Sequence, residues 1–205
     1  MNGPELRVVL DRALELVAKS EDELRALDSA VGDGDLGITV SRSAEAARKA
    51  IAALPPLAAP SEIIRTLATT IASANPSSFS ALVATGLLAA ARSVAGIDSL
   101  GVSDVVTMAQ QAVPAIAKRG KADVGDKTML DAIVPSVDAL EANPADGALD
   151  AMIIAARRGI DETAGGVSRK GRAAWLGERS IGHADPGATA YLRFLEALRE
   201  ATKRP

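Results

Sequence analysis

Asp28-Ser29-Ala30-Val31-Gly32-Asp33-Gly34-Asp35-Leu36-Gly37 sets three carboxylates and three glycines between two helical patterns, and the rest of the chain is organised around it. On one continuous helix Asp33 would lie about 140° around from Asp28, so the three acids could not converge. The glycines remove that obstacle. Gly32, Gly34 and Gly37 are expected to take positive φ angles and fold the loop back towards the helix that carries Asp28. Three facing carboxylates raise one another's pKa values, and a hard divalent cation with oxygen ligands relieves the repulsion. Mg²⁺ is the favoured ion. It keeps coordination positions for water and phosphate, and a helix entered near Ile38 adds backbone N–H groups suited to phosphate oxygens. A calcium EF-hand loop starting at Asp33 fails on register, because Ile38 stands where glycine is required and Ala44 where a bidentate Glu is required. A glycine-rich turn whose aspartates only cap a helix is the plainer alternative.

Helical periodicity extends outward on both sides. Upstream, Leu6, Val9, Leu10, Ala13, Leu14, Leu16 and Val17 recur at three- and four-residue spacing, with Pro4 in the first turn. Ser20 and Glu23 predict a capping box that opens a short second helix ending at Asp28. Downstream, a helix is expected from about Ile38 to Leu54, closed by Pro55-Pro56, and another from Ser61-Glu62 to about Ala74. Asn75-Pro76-Ser77-Ser78 breaks the pattern before an apolar helix from Phe79 to Val94, ended by Gly96. Ser103-Asp104 is read as the cap of a helix to Arg119, kinked at Pro114. The polar loop Gly120 to Lys127 precedes a helix from Thr128 to Glu141. A further helix is expected near Ala145 to Ala164, and Gly165 to Asp185 is long and lacks apolar periodicity. Asp185 and Pro186 read as N-cap and first position of a last helix ending near Lys203.

About eight helices and no alternating strand pattern give an all-α class, an up-and-down antiparallel bundle forming one domain over 1–205. The loops near Asp33, Ser77, Lys121 and Arg172 fall at nearly every second connection. In an antiparallel array such connections share one end, so the glycine-rich loops gather around the acids.

Composition narrows the function. Of 205 residues 48% are hydrophobic, but the aromatic ones are only Phe79, Trp175, Tyr191 and Phe194, so the core must be built from Ala, Leu, Ile and Val. A formal charge of −3 without a basic run, and so few stacking platforms, exclude a nucleic-acid surface. With no cysteine there are no disulfides or thiolate sites, which fits a reducing compartment. The start lacks a leader pattern and no apolar run reaches the roughly 18 residues of a membrane span, so a soluble cytoplasmic protein is expected.

His183 is the only histidine, which excludes a multi-histidine metal cluster within one chain. It either fixes loop structure or lines the site. Arg172 could neutralise phosphate bidentately or form a surface pair with a glutamate. Ser77 and Ser78 could donate to phosphates or simply cap the helix that follows.

Three motifs together carry a resemblance. Gly32-Asp33-Gly34-Asp35-Leu36-Gly37, Gly125-Asp126-Lys127-Thr128-Met129-Leu130-Asp131-Ala132 and the stretch Gly171 to Ala188, with its Gly182-His183-Ala184-Asp185-Pro186-Gly187, resemble the nucleotide-binding L subunit of dihydroxyacetone kinases along essentially the whole chain. The resemblance implies an eight-helix antiparallel barrel holding ADP or ATP with two Mg²⁺ ions at one rim. Aspartates matching Asp28, Asp33 and Asp35 would bind the ions. Residues matching Leu36, Gly37, Ile38, Thr39, Ser77 and Ser78 would lie at the phosphates. Those matching Gly120, Met129, Arg172, Asp185, Pro186 and Gly187 would close over the nucleotide. It also implies a separate K-type subunit that holds the ketose, and either ATP or a phosphotransferase-system protein as phosphoryl donor. Two departures stand out. Leu36 replaces a usual His, and Asn75 to Ser80 replace a Gly-Gly-Thr-Ser-Gly-like loop, which leaves open another sugar such as the tetrulose erythrulose. A fatty-acid-kinase-like module and a non-catalytic nucleotide-binding regulator are the remaining alternatives.

Overall fold

A computed structural model describes residues 1–145 and 147–203. Asp146, inside the expected start of the eighth helix, and the last two positions of the expected domain lie outside the described residues. The helices are α1 (Gly3–Ala18), α2 (Glu21–Val31), α3 (Leu36–Ala52), α4 (Pro60–Ala74), α5 (Ser78–Ser93), α6 (Val102–Gly120), α7 (Leu130–Ala142), α8 (Ala148–Ala164) and α9 (Pro186–Thr202), with a 3-10 helix at Arg172–Ser180. Among the described residues the only β pairing is one bridge, Asn2 with Ser99. The described residues are therefore all-helical, with nine α-helices among them where the pattern suggested about eight.

Several helix starts differ from expectation for local reasons. Ser20 precedes α2 but makes no side-chain cap, because its ψ of 8° is not the extended geometry that aims an N-cap oxygen at the first turn. A capping box forms instead at Asn2 and Glu5, each side chain accepting from the other's backbone N–H at 3.0 and 2.9 Å. The N-cap of α6 is Gly101 rather than Ser103, since Asp104 reaches back to accept from the Gly101 N–H at 2.8 Å. It then runs on through Pro114 to Gly120, as α7 does through Pro135. The expected cap at Asp185 forms, its side chain accepting from Ala188 N at 2.7 Å.

Packing partners run in a circuit: α1 on α3, then each helix on the next through α9, which returns to α1. Helix α2 stands beside it, against α3, α9 and the 3-10 segment. The interior is aliphatic, as composition required. Leu10, Leu14 and Val17 of α1 meet Ala44, Ala47 and Ile51 of α3, Ile63 and Leu67 of α4, and Ala197 of α9. A second cluster joins α7, α8 and α9 through Ala132, Ile153, Ile160, Leu192 and Leu195. Small residues set the spacing. A Cβ on Gly159 of α8 would clash with the Asp131 carbonyl of α7, so these backbones touch directly.

Alternate connections meet at one end. The α4–α5 connection reaches α3, where Asn75 Nδ2 donates to Thr39 Oγ1 at 2.9 Å. The α8–α9 connection reaches the α6–α7 loop, where Arg169 N donates to Asp126 O at 3.0 Å. It also reaches the α2–α3 loop through Arg172. No helix among the described residues is long and apolar enough to cross a membrane.

Candidate functional site

The α2–α3 connection brings Asp28, Asp33 and Asp35 together, with one carboxylate oxygen of each lying within 4.8 Å of the others. Asp28 sits in the last turn of α2, while Asp33 and Asp35 follow in the loop. The glycines work differently from expectation. Only Gly34 takes a positive φ, 77°. Gly32 has φ −150° and is needed because a Cβ there would strike the Asp28 carboxylate. Gly37 is helical and buried, and a Cβ there would clash with the Glu21 carbonyl of α2. Two of the three glycines thus give space rather than backbone freedom.

Arg172 is ion-paired with Asp33 and lies 3.7 Å from an Asp35 oxygen. Asp35 is held above the ordinary carboxylate range by desolvation and by Asp33, with Arg172 acting in the opposite sense and Asp28 adding to the rise. Clustered hard oxygens under mutual repulsion, balanced by one cation, are the donor set that suits a divalent metal. The Asp28 Oδ2 accepts from Leu36 N at 3.2 Å, which ties the α2 end to the start of α3.

The predicted phosphate residues divide into two kinds. Leu36 and Thr39 are buried, 7% and 1% exposed, and Gly37 is packed against α2, so none of the three presents a side chain to a ligand. What the first turn of α3 does offer is backbone. Thr39 N is used by Asp35 O, whereas the N–H groups of Gly37 and Ile38 have no protein acceptor among the described residues. Ser77 takes the capping role, its Oγ accepting from Ser80 N at 3.0 Å, and Ser80 Oγ in turn donates to Asn75 O at 2.8 Å. Ser78, the exposed first residue of α5, remains available.

A cleft of about 440 Å³ reaches Gly171, the chain neighbour of the Arg172 that pairs with Asp33. Its walls include Ser78, Gly120, Met129, Asp185 and Gly187, five of the residues that the sequence pointed to. Phe79, Leu82 and Ile116 add apolar surface, and Lys170 and Gly171 connect the cleft to Arg172. Pro186 is buried behind this wall as the first residue of α9. Asp185, partly accessible, has its carboxyl pushed up to about 6, chiefly by desolvation; the Ala188 N–H and Lys127 oppose the rise and Asp131 adds to it. A second dent, between Gly147, Leu149, Arg199 and Lys203, lies at the opposite ends of α8 and α9 and holds none of these residues. His183 is exposed in the turn before Asp185.

Lys127 and Asp131 were missed as site-forming residues. Asp131, 2% exposed, accepts from Gly125 N at 2.5 Å and Thr128 N at 2.6 Å, shaping the α6–α7 loop. Lys127 is equally buried and donates to the carbonyl of Ala164, the last residue of α8, and to those of Gly166 and Ser180 in the α8–α9 connection. Its acceptors lie 37 to 53 positions away, so no local pattern announces them.

Residues 30–200 match the family described as the DAK2 domain. The chain is 32% identical over 201 residues to "PEP-dependent dihydroxyacetone kinase, ADP-binding subunit DhaL" of Escherichia coli (strain K12), a match covering 95% of this chain and 94% of that one. It is 33% identical over 203 residues to the L-erythrulose 1-kinase of Mycolicibacterium smegmatis, covering 96% of this chain and 35% of that protein. Among solved structures it is similar to the dihydroxyacetone kinase from C. freundii in complex with AMP-PNP and Mg²⁺, with a TM-score of 0.75 and 26% identity, covering 95% of this chain and 33% of that one. It therefore spans about a third of the two larger proteins and nearly all of the E. coli subunit. With most of its length inside the matched region, the chain belongs to the DAK2 domain family.

Proposed function

We propose that this chain binds a Mg²⁺-nucleotide and supports phosphoryl transfer to a small ketose such as dihydroxyacetone, held by a separate K-type subunit. The observation that carries the reading is the convergence of Asp28, Asp33 and Asp35 against Arg172, the chain neighbour of the cleft's Gly171. It is supported by the E. coli relative's name as an ADP-binding subunit and by the C. freundii structure's AMP-PNP and Mg²⁺.

Three carboxylates offer six oxygens, enough for two Mg²⁺ ions that complete their shells with water and phosphate. When bound, the metal supplies charge neutralisation on the phosphate oxygens. The protein's own contribution is positioning. The aspartates hold the ions and are not nucleophiles. Arg172, already at the cluster, brings a planar guanidinium suited to phosphate oxygens, and the free Gly37 and Ile38 N–H groups add donors at a helix start. Met129, Leu82, Ile116 and Phe79 give the base an apolar slot. Transfer breaks the bond between the γ-phosphorus and the bridging oxygen and forms one to a ketose hydroxyl, whose proton leaves to a base on the partner; little covalent work falls to this chain.

The donor is either free ATP or a phosphoprotein that recharges permanently bound ADP, and the E. coli relative's PEP dependence favours the second. A tetrulose is the second reading for the sugar, supported by the M. smegmatis relative and by Leu36 in place of the usual His. The test is ³¹P NMR of sugar phosphate formed when this chain is mixed with a K-type subunit, Mg²⁺ and a ketose, with ATP or a phosphorylated phosphotransferase-system protein as donor. Dihydroxyacetone phosphate or erythrulose phosphate should accumulate only when both subunits are present. Tight ADP binding without transfer from either donor would leave a non-catalytic nucleotide-binding protein.

A further inference from the structure

The longest connection, Gly165 to Asp185, carries Lys170, Gly171 and Arg172 to the site, yet has no apolar periodicity and only a short 3-10 helix of its own. Gly171 and Gly177 take positive φ angles of 67° and 55°, and Trp175 is 90% exposed. Such a segment needs a tether. Its anchor is Lys127. The ammonium donates to Ala164 O at 2.9 Å, Gly166 O at 2.8 Å and Ser180 O at 2.7 Å, saturating its three hydrogens on both ends of the segment. Lys127 holds φ 60°, a left-handed conformation that a lysine keeps only where its surroundings impose it. The neighbouring bonds are local to the same knot: Gly182 N to Ala164 O at 2.9 Å, Ser168 N to Ser180 Oγ at 2.9 Å and Arg169 N to Asp126 O at 3.0 Å.

We propose that Lys127 is a positioning residue that pins the Gly165–Ser180 segment at both ends, and through it sets Arg172 against the acidic cluster and Lys170-Gly171 against the cleft. The three acceptors are backbone carbonyls, so the ammonium has no carboxylate partner among the described residues and is not a surface ion pair. Burial holds its pKa below the ordinary lysine value, with Asp185 opposing. Its hydrogens are all engaged, so it does not itself touch phosphate. Without it, Gly166 O loses its donor, Ala164 O keeps only Gly182 N and Ser180 O only the longer bond from His183 N, and the segment is free to swing on its glycines.

The role at the nucleotide rests on the function proposed above, whereas the tethering does not, and the experiment separates the two. Trp175 is the only tryptophan and lies in the pinned segment, so its fluorescence anisotropy reports segment mobility directly. In Lys127→Met the anisotropy should fall while the far-UV circular dichroism keeps its helical amplitude, and Mg-ADP should dissociate at least tenfold faster with an association rate changed less than threefold. Lys127→Gln, with two donors, should fall between. The chain has no cysteine, so aminoethylation of unfolded Lys127→Cys followed by refolding rebuilds the ammonium and should restore both readouts. Unchanged anisotropy in Lys127→Met, or failure of aminoethylation to restore it in refolded helical protein, overturns the proposal. Reduced anisotropy with unaltered ADP dissociation overturns its link to the nucleotide, and absence of Mg-ADP binding in the wild type overturns the function proposed above while leaving the tether intact.

Discussion

The Asp28 carboxylate occupies the space that a side chain on Gly32 would need; a Cβ built there would strike Oδ1. The convergence of Asp28 on Asp33 and Asp35 thus depends on the absence of one methyl group four residues later. Gly32→Ala must push the Asp28 carboxylate off the other two. Affinity for Mg-ADP should drop about tenfold or more, a cost of roughly 1.4 kcal/mol or above, while the melting temperature moves little because Gly32 is exposed. Calorimetric titration with melting curves checks both, and unchanged affinity would show that Asp28 does not hold the ion.

Gly37→Ala tests the opposite balance. Its Cβ would clash with the Glu21 carbonyl and crowd Arg25, so α2 must lift from α3. Overpacking of this kind costs about 1–3 kcal/mol. At about 2–4 °C per kcal/mol for a chain of this size, that lowers the melting temperature by roughly 2–12 °C. A variant as stable as wild type would mean that the two helices are not in backbone contact.

Arg172→Ala should change two affinities in opposite directions. The guanidinium competes with a cation for Asp33 and Asp35, so Mg²⁺ alone should bind a few-fold more tightly once it is gone. Mg-ADP should bind about tenfold more weakly, because the phosphate loses a planar donor pair. Arg172→Lys, which keeps charge but not the fork, should restore the first value and not the second. Titration of each variant with Mg²⁺ in the presence and absence of ADP gives the four numbers. If both affinities moved together, Arg172 would have only one of the two roles.

Asp185 predicts a pH dependence. Its carboxyl is pushed up to about 6 from 3.8, so between those values the folded state holds a proton that the unfolded state releases. Stability from this group is complete below about pH 4 and is lost as pH rises through 6. Asp185→Asn stays neutral and can still accept from Ala188 N. The variant should match wild type near pH 4 and exceed it by on the order of 2 kcal/mol at pH 7, given ~1.4 kcal/mol per pKa unit. Urea denaturation at pH 4, 5, 6 and 7 checks this, and parallel curves would contradict it.

What the sequence made legible was local. The convergence of the three loop acids, the Asp185-Pro186 helix start and the apolar stripe of α1 depend on residues within a few positions of one another, and each is found where the sequence placed it. Cap geometry was less legible, because Ser20 and Asn2 are both good N-cap residues and only their backbone angles decide which one acts. The glycines could be identified as necessary, but not whether for positive φ, as at Gly34, or for close approach, as at Gly32 and Gly37. Least legible was the Gly165 to Asp185 connection, which is bonded to Lys127 and Asp126 of a distant loop as well as within itself, as between Ser168 N and Ser180 Oγ.

If Asp28, Asp33 and Asp35 hold the metal that binds the nucleotide's phosphates, ADP binding depends both on Mg²⁺ and on these side chains. Calorimetric titration of ADP into wild type and Asp33→Ala, each in Mg²⁺ and in EDTA, tests it most directly. ADP binding should require Mg²⁺ in the wild type and be at least about a hundredfold weaker in the variant, roughly 2.7 kcal/mol, with helical content unchanged. Equal affinity in the two proteins, or binding indifferent to EDTA, would contradict it.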